Sequence, residues 1–123
     1  MILLTAELRE GLLANGRQPD IDHVPVVKFF NPLGAGVWLA TELDADGDTL
    51  FGLADLGEPE LGCFSLAEMA AVRLPIGLGI ERDLVFEGLV PISVWADAAR
   101  KAGGIREAER VLYMAHRARP QDG

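Results

Sequence analysis

The chain has one cysteine, two histidines, two lysines and two serines among its 123 residues, and each scarcity removes a class of chemistry. Cys63 has no partner within the chain, so no internal disulfide forms and a reducing compartment is expected. His23, Cys63 and His116 are the only soft metal ligands. They lack the paired spacing of zinc sites, so no metal and no cofactor is expected. Neither Ser65 nor Ser93 stands in a Gly-x-Ser-x-Gly turn, and both read as helix caps instead. Lys28 and Lys101 alone leave Schiff-base chemistry short of candidates. Long apolar runs are missing as well. No stretch approaches the roughly 18 residues that span a bilayer, and the opening Met1–Leu4 meets Glu7, Arg9 and Glu10 rather than a longer apolar region. A cytoplasmic protein that makes no membrane contact is expected.

Phosphate-binding loops are absent too. Gly34-Ala-Gly36 leads into a strand pattern rather than a helix, and Gly77-Leu-Gly79 lacks both a third glycine and a following helix. What the chain does have is apolar content and negative charge. Half of its residues are hydrophobic, which excludes intrinsic disorder, and its length suffices for one self-contained core. The formal charge is −8. Residues 24–65 carry −6 with a single lysine, while residues 100–123 carry +3. So acidic a body repels phosphate backbones; direct nucleic-acid contact is expected only through the basic C-terminal helix, and a partner with a basic surface suits the rest.

Periodicity and turn chemistry lay out the elements. Thr5 caps a helix through Asn15, with Leu8, Leu12 and Leu13 on one face and Gly16 ending it. Strands are predicted at Val24–Phe30, Val37–Leu43 and Thr49–Asp55, the last two joined through the Asp-Gly pair of Asp44–Asp48. Leu56–Gly62 reads as a loop, with a short strand at Leu61–Phe64. Ser65 and Glu68 form a capping box for a helix from Leu66 to about Val72. A last strand is predicted at Asp83–Phe86. A helix capped by Ser93 then runs to Ala102 and is closed by Gly103-Gly104. From Ile105, an amphipathic helix carries a stripe of Ile105, Ala108, Val111, Leu112 and Ala115 beside a basic polar side. The fold class is α+β: a small, mainly antiparallel β-meander with flanking helices and a C-terminal helical pair. One domain over residues 1–104 is expected, with 105–119 packed on it or extending from it and 120–123 frayed.

Carboxylates dominate the remaining chemistry. Asp44, Asp46 and Asp48 alternate like the first ligands of a calcium loop, but the sixth position is Thr49 and the twelfth Asp55, and strands flank the segment. Glu42, Asp55, Glu58 and Glu60 are the candidates for a carboxylate-dependent hydrolase, or for a site that takes a small ligand or a metal. Such an enzyme would gather at least two of Glu42, Asp55, Glu58, Glu60 and Glu81 around a concave pocket, whereas a DNA mimic would array them on a convex or flat surface. Trp38 and Trp95, if exposed, are candidate interface anchors.

Several strings together resemble a bacterial family, domain of unknown function 2958: Val26-Val-Lys-Phe-Phe-Asn-Pro32, Trp38-Leu-Ala-Thr-Glu-Leu-Asp44, Phe51-Gly-Leu-Ala-Asp-Leu-Gly57, Pro59-Glu-Leu-Gly62, Phe64-Ser-Leu-Ala-Glu68 and Glu81-Arg-Asp-Leu-Val-Phe86. The likeness covers roughly residues 1–103, and the helix from Ile105 looks like an extension. The resemblance implies a setting on plasmids and other mobile elements, among accessory and anti-restriction genes, and it carries no assigned catalytic residue. It points to a non-enzymatic protein that binds a protein partner. In its sharpest form this is an anti-restriction or anti-CRISPR inhibitor whose Glu42, Asp44, Asp46, Asp48, Asp55, Glu58 and Glu60 imitate DNA phosphates.

Overall fold

The computed structural model describes residues 2–118. The expected frayed tail, 120–123, and the helix end at Arg119 lie outside the described residues. In chain order the elements are α1 (Ala6–Gly16), β1 (Val27–Phe30), β2 (Val37–Leu43), β3 (Thr49–Asp55), β4 (Pro59–Ser65), α2 (Leu66–Ala70), β5 (Glu81–Arg82), α3 (Ile92–Ala102) and α4 (Ile105–Ala118). The five strands form one antiparallel sheet in the order β4-β3-β2-β1-β5. This is the α+β meander that the sequence predicts, with its C-terminal helical pair.

Both faces of the sheet are covered, which gives three layers. On one face Val27, Phe29, Ala40, Leu43 and Leu50 pack with Leu12 of α1 and Met69 of α2. On the other, Val37, Leu39 and Leu53 pack with Trp95, Ala96 and Ala99 of α3 and with Ile105 and Ala108 of α4. Double coverage explains why β2 is apolar on both faces rather than alternating. A bulge between Ala40 and Glu42 completes the pattern. It inserts Thr41, whose hydroxyl donates to the Phe51 carbonyl (3.2 Å), and so turns Leu43 to the face opposite Val37 and Leu39.

Most caps follow the sequence, and the departures have local causes. Thr5 accepts from the Leu8 N–H (3.2 Å) and Gly103 closes α3 in the left-handed conformation. Gly16 ends α1 for a different reason from the expected cap: a Cβ there would lie 2.3 Å from the Leu43 carbonyl oxygen. β1 starts at Val27 rather than Val24, because Pro25 has no N–H for the ladder. β4 runs from Pro59 to Ser65, through residues expected to form a loop. α2 stops at Ala70, short of Val72. β5 occupies Glu81–Arg82 instead of Asp83–Phe86, since Asp83 turns the chain by accepting from the Val85 N–H (3.0 Å). Ser93 is no cap. It lies inside α3, where its N–H (3.1 Å) and hydroxyl both donate to the carboxylate of Asp22, which serves the helix start from a distant loop.

Candidate functional site

The meander decides where the acidic residues go. Successive hairpin turns lie at opposite ends of a sheet, and β3 with seven residues is about 23 Å long at about 3.3 Å per residue. Glu42, Asp44, Asp46 and Asp48 therefore surround one end of β3, and Asp55, Glu58 and Glu60 the other. Neighbours in sequence become two separate clusters.

Within each cluster the carboxylates have different tasks. Asp46 accepts from the N–H groups of Asp48 (2.8 Å) and Thr49 (2.9 Å) and from the Thr49 hydroxyl (2.6 Å). These bonds favour its charged form and hold its carboxyl below the usual range. Asp48 accepts from the Ser65 hydroxyl (2.8 Å) and the Ala67 N–H (2.7 Å), while Ser65 accepts from the Glu68 N–H (3.1 Å). Asp48 thus joins the Ser65 half of the capping box at the start of α2. Of the three alternating aspartates that resemble calcium ligands, Asp46 and Asp48 spend these oxygens on their own turn and on α2. At the other end, Asp55 accepts from the Gly57 N–H (3.0 Å) and from the Ile105 N–H (2.9 Å), the latter at the start of α4.

Glu42, Asp44, Glu58 and Glu60 line surface depressions. Glu42 and Asp44 border a hollow of about 370 Å³ with Gly16, Pro19, Thr49, Phe51 and Cys63. Partial burial pushes the Glu42 carboxyl above its ordinary range, against the opposing pull of nearby His23. The His23 ring is itself tied to the Gln18 carbonyl (2.8 Å). Glu58 and Glu60 line an open groove of about 740 Å³ between β4 and the end of α3, with Leu61, Ala99 and Arg100. Two of the four candidates for a hydrolase share a concave surface, as that reading asks, and the other two lie apart. Glu58 and Glu60 share this groove, Asp55 is engaged at α4, and Glu42 lies at the far end of β3.

The tryptophans separate as well. Trp95 is fully buried, packs against Phe86 with ring centroids 5.9 Å apart, and donates its indole N–H to the Gly88 carbonyl. It is core and not an exposed anchor. Trp38 is half-buried and lines a hollow with Phe64, Glu68 and Met69.

Two features have no signal in the local sequence pattern or a masked one. Lys28 is nearly buried between β1 and α4 and pairs with Glu109 (2.8 Å) and Asp83 (3.4 Å), partners 81 and 55 residues away whose meeting no local pattern signals. The other is β4 as an edge strand. Pro59, Gly57 and Gly62 give it a loop's composition, although Leu61 and Cys63 alternate with Glu60 and Phe64 at the strand period. α4 is also less engaged than its stripe predicts: Ile105 and Ala108 are buried, but Val111 is 54 % exposed. Among the described residues, no helix is long and apolar enough to cross a membrane.

Comparison with known proteins identifies a family. The model of a family described as Protein of unknown function (DUF2958) matches residues 3–106, which covers the sheet, α1 to α3 and the first residues of α4. No curated protein and no solved structure matches the chain.

Proposed function

The chain belongs to the family described as Protein of unknown function (DUF2958), and we propose that it is a small acidic accessory protein of a mobile genetic element that acts by binding a protein partner. The partner presents a basic surface, of the kind that holds nucleic acid. The observation that carries this reading is the placement of Asp44, Glu58 and Glu60. All three are exposed at the two ends of β3, and acidic side chains so placed steer a cationic surface over long range. Asp46, Asp48 and Asp55 add to the same field while their oxygens hold the turns and helix starts. An anti-restriction or anti-CRISPR inhibitor is the sharpest form of the proposal, with the two clusters standing in for phosphates about 23 Å apart.

The test is capture of partners by the tagged full-length chain from its native bacterium at low and at moderate salt, with mass spectrometry of the eluate. The expected result is salt-sensitive recovery of a protein with a basic nucleic-acid-binding surface, lost on charge reversal at Asp44, Glu58 and Glu60. These positions are chosen because Asp46, Asp48 and Asp55 also hold the fold. Recovery of nothing at either salt overturns the proposal.

A further inference from the structure

A hollow on the α2 face of the sheet gives the proposed basic partner a place to anchor one side chain, an assignment that rests on the partner-binding reading above. Side-chain alternation puts Trp38 of β2, Ala54 of β3 and Glu60 of β4 in one row across that face, and Leu50 and Phe64 in another. Between them runs the row Ala40, Gly52 and Gly62. A Cβ at Gly52 would lie 1.8 Å from the Leu39 carbonyl oxygen, so no side chain can stand there, and a Cβ at Gly62 would meet nothing within 4 Å. Beside this bare row is a hollow of about 180 Å³, lined by Trp38, Phe64, Met69, Val72, Ile80 and the exposed Glu68.

Size and lining together select the occupant. Pockets for whole small molecules run from roughly 300 Å³ upward, so this one suits a single side chain. Its lining joins two aromatic rings and three other apolar side chains to one carboxylate, and no lysine or arginine lines it. Ser65 accepts from the Glu68 N–H, but the Glu68 carboxylate has no hydrogen bond or ion pair among the described residues. The nearest cation in sequence, Arg73, is turned back on the carbonyls of Ala70 (3.1 Å) and Val72 (3.2 Å). Glu60, exposed beyond Gly62, adds a second carboxylate without a partner to the same face. Arginine fits both halves of such a site. Its stem covers apolar surface while its head stays at the rim, and the planar guanidinium stacks on aromatic rings and pairs with carboxylates. We propose that this hollow receives one arginine side chain of the basic partner, its stem on Met69, Val72 and Ile80 and its guanidinium against the aromatic rings and the Glu68 carboxylate. A buried arginine of this kind is a common anchor of a protein interface.

Titration of the full-length chain with N-acetylarginine methylamide, followed by NMR of the indole N–H groups, tests this. The chain has two tryptophans, and the buried Trp95 serves as the internal reference for Trp38. The Trp38 signal should shift saturably, with a Kd on the order of 10 mM for so small a probe, while Trp95 stays in place. The citrulline analogue, which keeps the shape without the charge, and the norleucine analogue, which keeps only the stem, should each bind at least fivefold more weakly. Glu68→Gln should weaken the arginine probe to a similar degree, and because that side chain is exposed and only its N–H serves the helix cap, the variant should fold normally. Trp38→Leu provides a second variant and should remove binding. No saturable shift, an equal shift of Trp95, equal binding of the citrulline or norleucine analogue, or full binding by Glu68→Gln overturns the proposal. The two readings separate cleanly. If a partner is captured from extract and its recovery survives both Trp38→Leu and Glu68→Gln, partner binding stands and the arginine site falls. If the probe binds at Trp38 as expected but no partner is ever captured, the reverse holds.

Discussion

The two edges of the sheet differ in every respect that governs association. β5 is two residues long. Arg82 ties it down by donating to the carbonyls of Ile2 (2.9 Å) and Leu3 (3.0 Å), and the Asp83 N–H closes on the Lys28 carbonyl (3.0 Å). β4 is seven residues long, paired along its full length with β3 and open beyond. Proteins suppress unwanted strand pairing by shortening, covering or charging their edges. β5 has been shortened and strapped, whereas β4 keeps its length and has only Pro59 and Glu60 near one end. Within one small sheet, the protection given to one edge makes its omission from the other informative.

The contrast can be broken most forcefully at the β5 side. Lys28→Ala leaves Asp83 and Glu109 without their cation in a nearly dry site and should cost about 3 kcal/mol, read by urea unfolding, with faster amide exchange at Asp83 and Val85. Asp48→Ala removes acceptors from the start of α2 beside the end of β4 and should cost about 1–2 kcal/mol. In the same turn Asp44→Ala should change stability by less than about 0.5 kcal/mol. The pair tests whether neighbouring aspartates divide into structural and surface roles. Arg82→Ala should cost about 1 kcal/mol and loosen the strap, so that exchange quickens at Leu3 and Leu4 while β4 is unchanged. Glu60→Lys should leave stability within about 0.5 kcal/mol and reduce the salt-sensitive recovery of a basic partner.

The smallest effect concerns Glu42 and pH. Because burial raises its folded-state pKa, its carboxyl favours the folded state most when protonated, and that contribution is lost as pH rises through the folded pKa. Glu42→Gln should therefore be slightly more stable than the parent at neutral pH. The difference should vanish below the ordinary glutamate range, where both side chains are neutral. Thermal melts across about pH 3 to 7, values set by the usual carboxylate range, check the sign.

Much of the fold is legible in the sequence because it is local. Thr5 before Leu8, Asp46-Gly47 between two apolar runs, and Gly103 after Ala102 each specify a backbone conformation within a few residues, and each appears as expected. Double-sided burial is visible in β2 as apolar residues on both faces. What fails to show depends on distant partners. β4 is masked because Pro59 and Gly62 suit a loop, and only pairing with β3 makes an extended edge their better use. Ser93 resembles a cap until Asp22 arrives from a loop 71 residues away. The acidic run from Glu42 to Glu60 reads as one face, yet a strand runs through its middle and carries the two halves apart.

The sequence by itself determined the helices, the meander, the surplus of negative charge and the family, because these follow from local dihedral preference, side-chain period and composition. Only the tertiary structure decided which carboxylates face solvent and which hold a turn or a helix start, which tryptophan is core, and which edge of the sheet stays open. Those outcomes depend on which groups lose water together when distant segments pack, and a buried N–H or cation is satisfied by whatever acceptor the fold brings to it.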